Sequence, residues 1–183
     1  MKYLLNKQQT QRLSFRLLTP EDFQSWLPLF TGDNVAKFLG LDTTLAEEQL
    51  CELWFERIFN RYENDLGGMN VLIDKTSNKL VGQCGLLVQT VEEQKLLEVG
   101  YSILPRFWNN GYATEAAQKC RDFAFENSLA QSLISIVHVD NIASAKVALN
   151  NGMSLERTID SYKGNPVNIF QINKRSWEND LRI

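Results

Sequence analysis

The stretch from residue 96 to residue 125 constrains the fold more than any other part of the chain, because it joins an apolar segment, a short polar loop and a helical pattern. Residues 96–104 are mostly apolar, and Pro105, which cannot donate to a sheet ladder, ends the predicted strand. From Ala113 onward, small and aromatic residues recur at helical spacing, with charged residues largely opposite them. The pattern predicts a strand, a tight turn and an amphipathic helix in direct succession.

The turn itself carries Gly111, with the small Ala113 two residues later. Glycine permits a positive φ or a close backbone approach, and the first amides of a helix lack intrahelical acceptors and carry partial positive charge. This helix mouth could therefore hold a pyrophosphate through its main chain. A plain connection between strand and helix explains the same residues. The chain contains neither GxxxxGKS/T nor GxGxxG, so the usual nucleotide-binding motifs are absent from it.

Four residues of this stretch, Ile103, Trp108, Gly111 and Ala113, resemble the acetyl-CoA motif of the GNAT superfamily of N-acetyltransferases. That motif reads Val or Ile, four residues of any type, Gln or Arg, two more residues, Gly, one residue, and Gly or Ala. Trp108 stands where Gln or Arg is usual.

Three segments are similar to the RimJ/RimL branch of that superfamily. Residues 107–116, FWNNGYATEA, are similar to its YWGKGYATEA segment, residues 10–22 to its opening TERLxLRxLTxED, and residues 139–153 to its VxPENxAS and LEKxGF segments. The resemblance runs in order over roughly residues 10–178. It implies an acetyl-CoA-dependent N-acetyltransferase that acts on a primary amine, either a protein N-terminus or a small-molecule amine, by direct attack in a ternary complex.

The predicted fold class is α/β, or α+β in some schemes. The resemblance implies a GNAT-like mixed, mostly antiparallel twisted sheet with a central splayed parallel strand pair, flanked by helices. Residues 1–183 are expected to form a single GNAT-like domain with its core at about residues 10–178. Strands are predicted at residues 13–18, 69–74, 80–88, 96–104, 133–139, 155–162 and 167–172, and helices at residues 44–62 and 141–151, with shorter helical segments beginning at residues 19 and 35.

Composition adds a few exclusions. No apolar run approaches the ~18 residues that a membrane span requires, and the apolar stretch near the N-terminus is too short for a signal peptide, so a cytoplasmic protein without membrane contact is expected. The net charge of −3 argues against nucleic acid as a partner and favours a cationic or amine substrate. Cys51, Cys84 and Cys120 are odd in number and unclustered, which predicts buried reduced thiols and no metal site.

The resemblance also implies how acetyl-CoA is held: its pantetheine lies between the two splayed strands and pairs with their backbone like an extra strand. A β-bulge near Gly100 would produce the splay and free one amide to stabilise a developing oxyanion, although Gly100 could simply relieve crowding. Helix capping alone would explain Asn141. The residues assigned to the cofactor are Tyr101, Ser102, Ile103, Trp108, Asn109, Asn110, Gly111, Tyr112, Ala113, Thr114, Asn141 and Ser144.

Proton transfer needs further groups, because an amine with a pKa near 10.4 is almost wholly protonated at neutral pH. Glu98, at the start of the motif strand, is the first candidate for the base, and His138 the second. A solvated carboxylate and a packed histidine are the alternatives for these two residues. By analogy, residues 38–40 (Phe38, Leu39 and Gly40) are expected to contact the acceptor.

One position departs from the family pattern. Many members carry a tyrosine where this chain has Ala148, and its hydroxyl returns a proton to the departing thiolate. Tyr101, Tyr112 or Tyr162 could replace it, or water could. The departure motivates an alternative function, a non-catalytic acyl-CoA binding or sensing module. A nucleotide-binding domain is a third, weaker hypothesis, and the sequence leaves the identity of the acceptor and the choice between monomer and homodimer open.

Overall fold

The computed structural model describes residues 2–32 and 34–180, and its order of elements follows the predicted alternation of strands and helices. The strands are β1 (Leu13–Arg16), β2 (Gly67–Asp74), β3 (Leu80–Val91), β4 (Gln94–Ile103), β5 (Ser132–His138), β6 (Ser154–Tyr162) and β7 (Asn165–Asn173). The helices are α1 (Phe23–Trp26), α2 (Val35–Phe38), α3 (Glu47–Glu63), α4 (Tyr112–Glu126), α5 (Ile142–Asn150) and α6 (Lys174–Asp180).

All seven strands belong to one sheet in the order β1-β2-β3-β4-β5-β7-β6. Every neighbouring pair is antiparallel except β4 and β5, which are parallel and are connected through α4. A parallel pair requires such a crossover, because a tight hairpin can join only antiparallel strands. The mixed, mostly antiparallel sheet with one central parallel pair confirms the predicted fold class.

Two apolar clusters pack on opposite faces of the sheet. One joins the sheet to α4 through the buried Ala117, Cys120 and Phe125, and α6 extends it through Trp177, whose ring centroid lies 5.4 Å from that of Phe125. The other cluster joins the sheet to the first three helices and is rich in aromatic side chains, among them Trp54. The aromatic stripe predicted for residues 44–62 is therefore core.

The two central strands diverge after a short contact. Only two residue pairs, Leu97 with Leu133 and Glu98 with Ile134, connect β4 to β5. Beyond them β4 stays paired with β3, and β5 stays paired with β7 along its whole length up to His138. Each strand thus follows its own antiparallel partner, and the sheet opens between them.

The predicted β-bulge near Gly100 is wrong. The pairing of β3 with β4 keeps one register through Gly100, which lies opposite Gly85. A Cβ at Gly100 would lie 2.8 Å from Cδ1 of Leu87 and 3.4 Å from Sδ of Met69, so glycine relieves crowding here. The splay therefore arises from the divergent partners of β4 and β5, without an inserted residue.

Several element boundaries differ from the prediction. The helix predicted to begin at residue 19 consists of three pieces, because 3₁₀ turns at Pro20–Asp22 and Leu27–Leu29 flank the short α1. The second of these turns contains Pro28. Strand β3 is longer than predicted and reverses into β4 at Glu92 and Glu93, which both have positive φ as a two-residue hairpin turn requires. Helix α6 was not predicted. None of the described helices is both long enough and apolar enough to cross a bilayer.

Candidate active site

A cleft of about 1710 Å³ opens where β4 and β5 separate. Its walls are the loop before α4, the start of α5, the α2 region, and residues of α3 and the β6–β7 turn. The cofactor residues predicted from the sequence all border this cleft except Asn110, which lies between two that do. The structure thus brings together segments that are far apart in the chain.

The N-terminus of α4, called here the helix mouth, exposes a row of main-chain amides. Gly111 is the N-cap with a left-handed φ of 76°, and Asn109 is also left-handed with φ 60°. Within residues 2–32 and 34–180, no hydrogen bond satisfies the amides of residues 110–114, whereas Glu115 N donates to Gly111 O over 3.1 Å. A Cβ at Gly111 would approach only Nη2 of Arg12, at 3.5 Å. These amides can therefore bind an anion such as a diphosphate.

Side chains fix the conformation of this loop. Trp108 Nε1 donates to Ile103 O over 2.6 Å, and Asn110 Nδ2 donates to Trp108 O over 2.9 Å. The indole N–H of Trp108 thus closes the base of the loop. Because this N–H is already bonded, the side chain at position 108, where Gln or Arg is usual, has no free donor for a ligand. Tyr112 is anchored separately, through a 3.0 Å hydrogen bond from its hydroxyl to Asp74 Oδ2.

Arg12 and Glu115 join the N-terminal segment to the same loop. Arg12 donates to Glu115 Oε2 over 2.6 Å and to Asn110 O over 2.8 Å, and Thr10 Oγ1 donates to Glu115 Oε1 over 2.5 Å. Burial opposes ionisation of Glu115, but the bonds from Thr10 and Arg12 outweigh it and lower the pKa of this carboxyl. The ion pair of Arg12 and Glu115 therefore anchors the first turn of α4 to the N-terminal segment.

The backbone of β4 faces the opening beyond its last pair with β5. Ser135 Oγ donates to Val99 O over 2.8 Å, so the main-chain groups of Val99 point toward β5. Because the main-chain groups of a strand alternate in direction, the N–H and C=O of Tyr101 point the same way. They face a gap in which β5 offers no pairing. This edge can pair with an extended ligand.

The side chain of Tyr101 crosses toward α5. Its hydroxyl donates to Ser144 O over 2.7 Å, and burial raises the pKa of the phenol, which is also close to the backbone of Ala148. Ala148 is itself fully buried. Asn141 caps α5, because its side chain accepts from Ser144 N over 3.1 Å. The tyrosine hydroxyl thus lies beside the helix position at which the family usually carries a tyrosine.

Glu98 borders the cleft at the last residue pair between β4 and β5. Its Oε2 accepts from Gln89 Nε2 over 2.6 Å. Burial raises the pKa of this carboxyl, and the bond from Gln89 and the charges of Arg61 and Lys163 only partly oppose the shift. Glu98 is therefore not a solvated strand-end carboxylate.

His138 is packed in the wall of the cleft. Its ring centroid lies 5.3 Å from that of Phe38, and its Nδ1 accepts from Asp140 N over 3.1 Å. The neutral ring therefore carries its proton on Nε2, which is buried and has no partner among the described residues. Nδ1 of His138 is thus already engaged by a main-chain amide, and Nε2 is shielded from solvent.

The α2 region forms one wall of the cleft. Phe38, Leu39 and Gly40 all border the cleft, and a Cβ at Gly40 would lie 3.9 Å from Nδ2 of Asn165 in the β6–β7 hairpin.

Among the residues that the structure describes, no group of three or more His, Cys, Asp or Glu side chains is placed to hold a metal ion. Cys84 and Cys120 are buried with their sulfurs 3.5 Å apart.

Sequence reasoning missed three polar neighbours of Glu98, namely Gln89, Arg61 and Lys163. Gln89 contacts Glu98 directly, and Lys163 Nζ lies 3.5 Å from Gln89 Oε1. Arg61 donates to Leu66 O over 3.0 Å and to Val88 O over 2.6 Å. A polar residue within the otherwise apolar end of β3 was the one available signal for Gln89. Lys163 reaches the site only because the β6–β7 hairpin folds back on it.

Comparison with known proteins places this geometry in a family. A sequence model described as the acetyltransferase (GNAT) domain matches residues 12–154. YkkB of Bacillus subtilis, an uncharacterized protein, is 35% identical over 54% of this chain and 56% of its own length, so that match spans little more than half of the relative. YoaA of the same organism, an uncharacterized N-acetyltransferase, is 26% identical over 91% of this chain and 96% of its length.

A solved structure agrees with the fold. The crystal structure of an acetyltransferase from Agrobacterium tumefaciens superposes with a TM-score of 0.74 at 23% identity, covering 92% of this chain and 95% of that chain. The family match extends from the N-terminal segment that supports the helix mouth to the start of β6. On that match the chain belongs to the GNAT family of acetyltransferases, acyltransferase enzymes that use acetyl-CoA as the acyl donor.

Proposed function

We propose that the chain is an N-acetyltransferase of RimJ/RimL type that transfers the acetyl group to a primary amine by direct attack in a ternary complex. One observation carries the proposal: the gap between β4 and β5 connects the unsatisfied amides at the mouth of α4 with the carboxyl of Glu98. A carrier bound at one end of this cleft would present its acyl group at the other. Geometry supports a reaction in which donor and acceptor are bound together.

The residues of the cleft fit acetyl-CoA. The amides of residues 110–114 would hold its diphosphate, and the main-chain groups of Tyr101 would pair with the pantetheine. When bound, acetyl-CoA supplies an activated thioester. The protein supplies orientation, because Trp108 and Asn110 already hold the loop in shape before any ligand arrives.

Glu98 would accept the proton that an incoming ammonium must lose. Burial raises the pKa of Glu98 toward neutral pH, which makes its carboxylate a stronger base than that of an exposed glutamate. Burial raises the pKa of Tyr101, and its hydroxyl already donates to Ser144 O, so the departing thiolate would take its proton from water and not from this phenol.

Because position 148 carries alanine where many family members have a tyrosine, a second candidate function is an acyl-CoA binding or sensing module without turnover. Titration calorimetry with acetyl-CoA, run beside a thiol-release assay over a panel of amines, separates the two. Micromolar binding together with thiol release on at least one amine is expected. Binding of acetyl-CoA without release on any amine would favour the sensor, and a preference for ATP over CoA would overturn both.

A further inference from the structure

The acceptor end of the cleft carries more positive than negative charge. Three cations, Arg57, Arg61 and Lys163, border it and are called here the basic cluster. The acidic residues on the same side are Glu56, which is exposed, and Glu98. Lys37 and Asp140, which also border the cleft, form an ion pair at 2.9 Å, so their charges cancel. The whole chain has a net charge of −3, so this local excess of cations runs against the overall balance.

Members of the basic cluster repel one another. Arg57 and Arg61 are one helical turn apart on α3, and Lys163 approaches them from the β6–β7 turn. Burial lowers the pKa of Lys163, attraction by Glu98 opposes this, and repulsion from Arg61 and Arg57 adds to the lowering. No carboxylate forms a salt bridge with any of the three cations within the described residues. A bound anion would relieve this repulsion.

Tyr162 adds an unused hydrogen-bonding group at the same place. Its hydroxyl is buried and has no partner in the part of the chain that the structure describes. Burial and the nearby charge of Glu98 raise its pKa to about 12, so the hydroxyl keeps its proton. A buried hydroxyl without a hydrogen-bond acceptor destabilises the folded chain, and a ligand that accepts from it would remove this cost. Lys163 and Tyr162 together thus offer donors to an acidic group.

Glu98 and Lys163 are linked through a single side chain. Gln89 donates to Glu98 from Nε2 over 2.6 Å and receives Lys163 at its Oε1 over 3.5 Å. The two opposite charges therefore contact the two ends of one amide. A small molecule that carries an ammonium and a carboxylate a few atoms apart could contact the same pair, with its amine toward Glu98 and its carboxylate toward Lys163.

We infer that the acceptor is a small primary amine that carries a carboxylate within a few atoms of its nitrogen, as a free amino acid does. The inference rests on the proposed function, because it names the substrate class for the same site. The carboxylate binds the basic cluster and the hydroxyl of Tyr162, and the amine faces Glu98. Polyamines are disfavoured, because a second ammonium would meet Lys163 and Arg57.

Matched acceptors test this inference. The purified full chain with acetyl-CoA is assayed for thiol release with free amino acids, the carboxamides of the same amino acids, the corresponding decarboxylated amines, and spermidine. Each carboxamide and each decarboxylated amine keeps the side chain and the primary amine of its amino acid and lacks the negative charge. The best amino acid is expected to have a KM about two- to fivefold below that of its carboxamide, the scale of one partly exposed charge interaction. Equal KM values, or a preference for spermidine, would overturn the inference.

Two variants locate the effect. Lys163→Gln should bring the KM of the amino acid close to that of its carboxamide while leaving acetyl-CoA binding intact. Lys79→Gln, at an exposed lysine beside the β2–β3 turn, is the matched control and should leave the ratio of the two KM values unchanged. If Lys163→Gln left the ratio as it is in the unaltered chain, the basic cluster would not bind the carboxylate.

The remaining outcomes separate this inference from the proposed function. Turnover of amines without a preference for the carboxylate would overturn the substrate class alone. Absence of turnover on every acceptor, despite acetyl-CoA binding, would overturn the proposed function and this inference with it. Short peptides with aspartate or asparagine as the second residue form the last arm. A lower KM for the aspartate peptide than for every free amino acid would overturn the small-molecule acceptor and point to a protein N-terminus, whereas equal KM values for the two peptides are expected.

Discussion

Ser135 Oγ donates a hydrogen bond to Val99 O over 2.8 Å, one residue beyond the last backbone pair between β4 and β5. The bond is buried and connects the two strands at the point where their ladder ends. A side chain thus satisfies the carbonyl that a longer ladder would have satisfied with an amide. The opening of the cleft begins at this bond.

Removing this bond should destabilise the fold. Ser135→Ala removes only the hydroxyl and leaves Val99 O buried without a donor, at a cost of about 1–3 kcal/mol in the free energy of unfolding. Urea denaturation measures the change. The control Ser154→Ala, at an exposed position of β6, should change stability by less than about 0.5 kcal/mol. Equal stability of both variants would show that the hydroxyl does not hold the strands at this point.

Gly111 should be required for acetyl-CoA binding. Its φ of 76° is strained for a β-branched residue, so a valine there would force the turn that presents the unsatisfied amides to change its backbone conformation. Gly111→Val is expected to weaken the Kd for acetyl-CoA about tenfold or more, a loss of roughly 1.4 kcal/mol, as measured by titration calorimetry.

A matched variant separates backbone strain from ligand contact. Gly164 has a similar φ of 84° in the β6–β7 turn and nothing within 4 Å of an added Cβ. Gly164→Val should cost comparable stability and leave the Kd for acetyl-CoA unchanged. If both variants bound acetyl-CoA as the unaltered chain does, the α4 loop would not be the diphosphate site.

Glu98→Gln should slow the reaction without preventing acetyl-CoA binding. Loss of a general base typically costs about 10²- to 10⁴-fold in rate. In the unaltered chain the rate should rise with pH as Glu98 loses its proton, and the raised pKa of this carboxyl moves that rise to higher pH than for an exposed glutamate. The pH profile of kcat/KM measures both effects.

The variant should lose that limb of the profile. Glu126→Gln, at the exposed C-terminal end of α4, is the charge-matched control and should keep both rate and profile. An unaltered pH profile in Glu98→Gln would remove Glu98 from proton transfer.

Glu115 should couple the stability of the fold to pH. The pKa of this carboxyl is lower in the folded chain than in the unfolded chain, so its contribution is present above the unfolded value near 4.3 and is lost as pH falls through the folded value. Glu115→Gln should therefore reduce the free energy of unfolding by about 1 kcal/mol at pH 7, after allowance for solvent screening. Thermal unfolding followed from pH 7 to pH 3 should show the two proteins converging. A stability difference that stayed constant over this range would contradict the assignment.

Local patterns in the sequence predicted much of the fold. The apolar run of β5 and the helical spacing of α4 depend on residues close together in the chain, and both elements lie where the pattern placed them within a few residues. The Gly111 loop was predictable for the same reason. Helix α6 was missed, because in its seven residues only Trp177 makes an apolar contact with the core.

The surroundings of Glu98 could not be predicted in this way. Gln89, Arg61 and Lys163 come from three different elements, and the pairing of Lys163 with Gln89 joins residues 74 positions apart. The predicted bulge at Gly100 failed for a related reason, since the splay depends on which neighbours hold β4 and β5 across the sheet. Tertiary contacts of this kind leave no periodic signal in the sequence.

A crystal structure of the chain with bound CoA tests the central claim most directly. The account predicts the diphosphate within hydrogen-bonding distance of the amides of residues 110–114, and the pantetheine between β4 and β5, paired with the backbone of Tyr101. Electron density that places the diphosphate away from these amides, or shows β4 and β5 paired beyond Glu98 and Ile134, would contradict it.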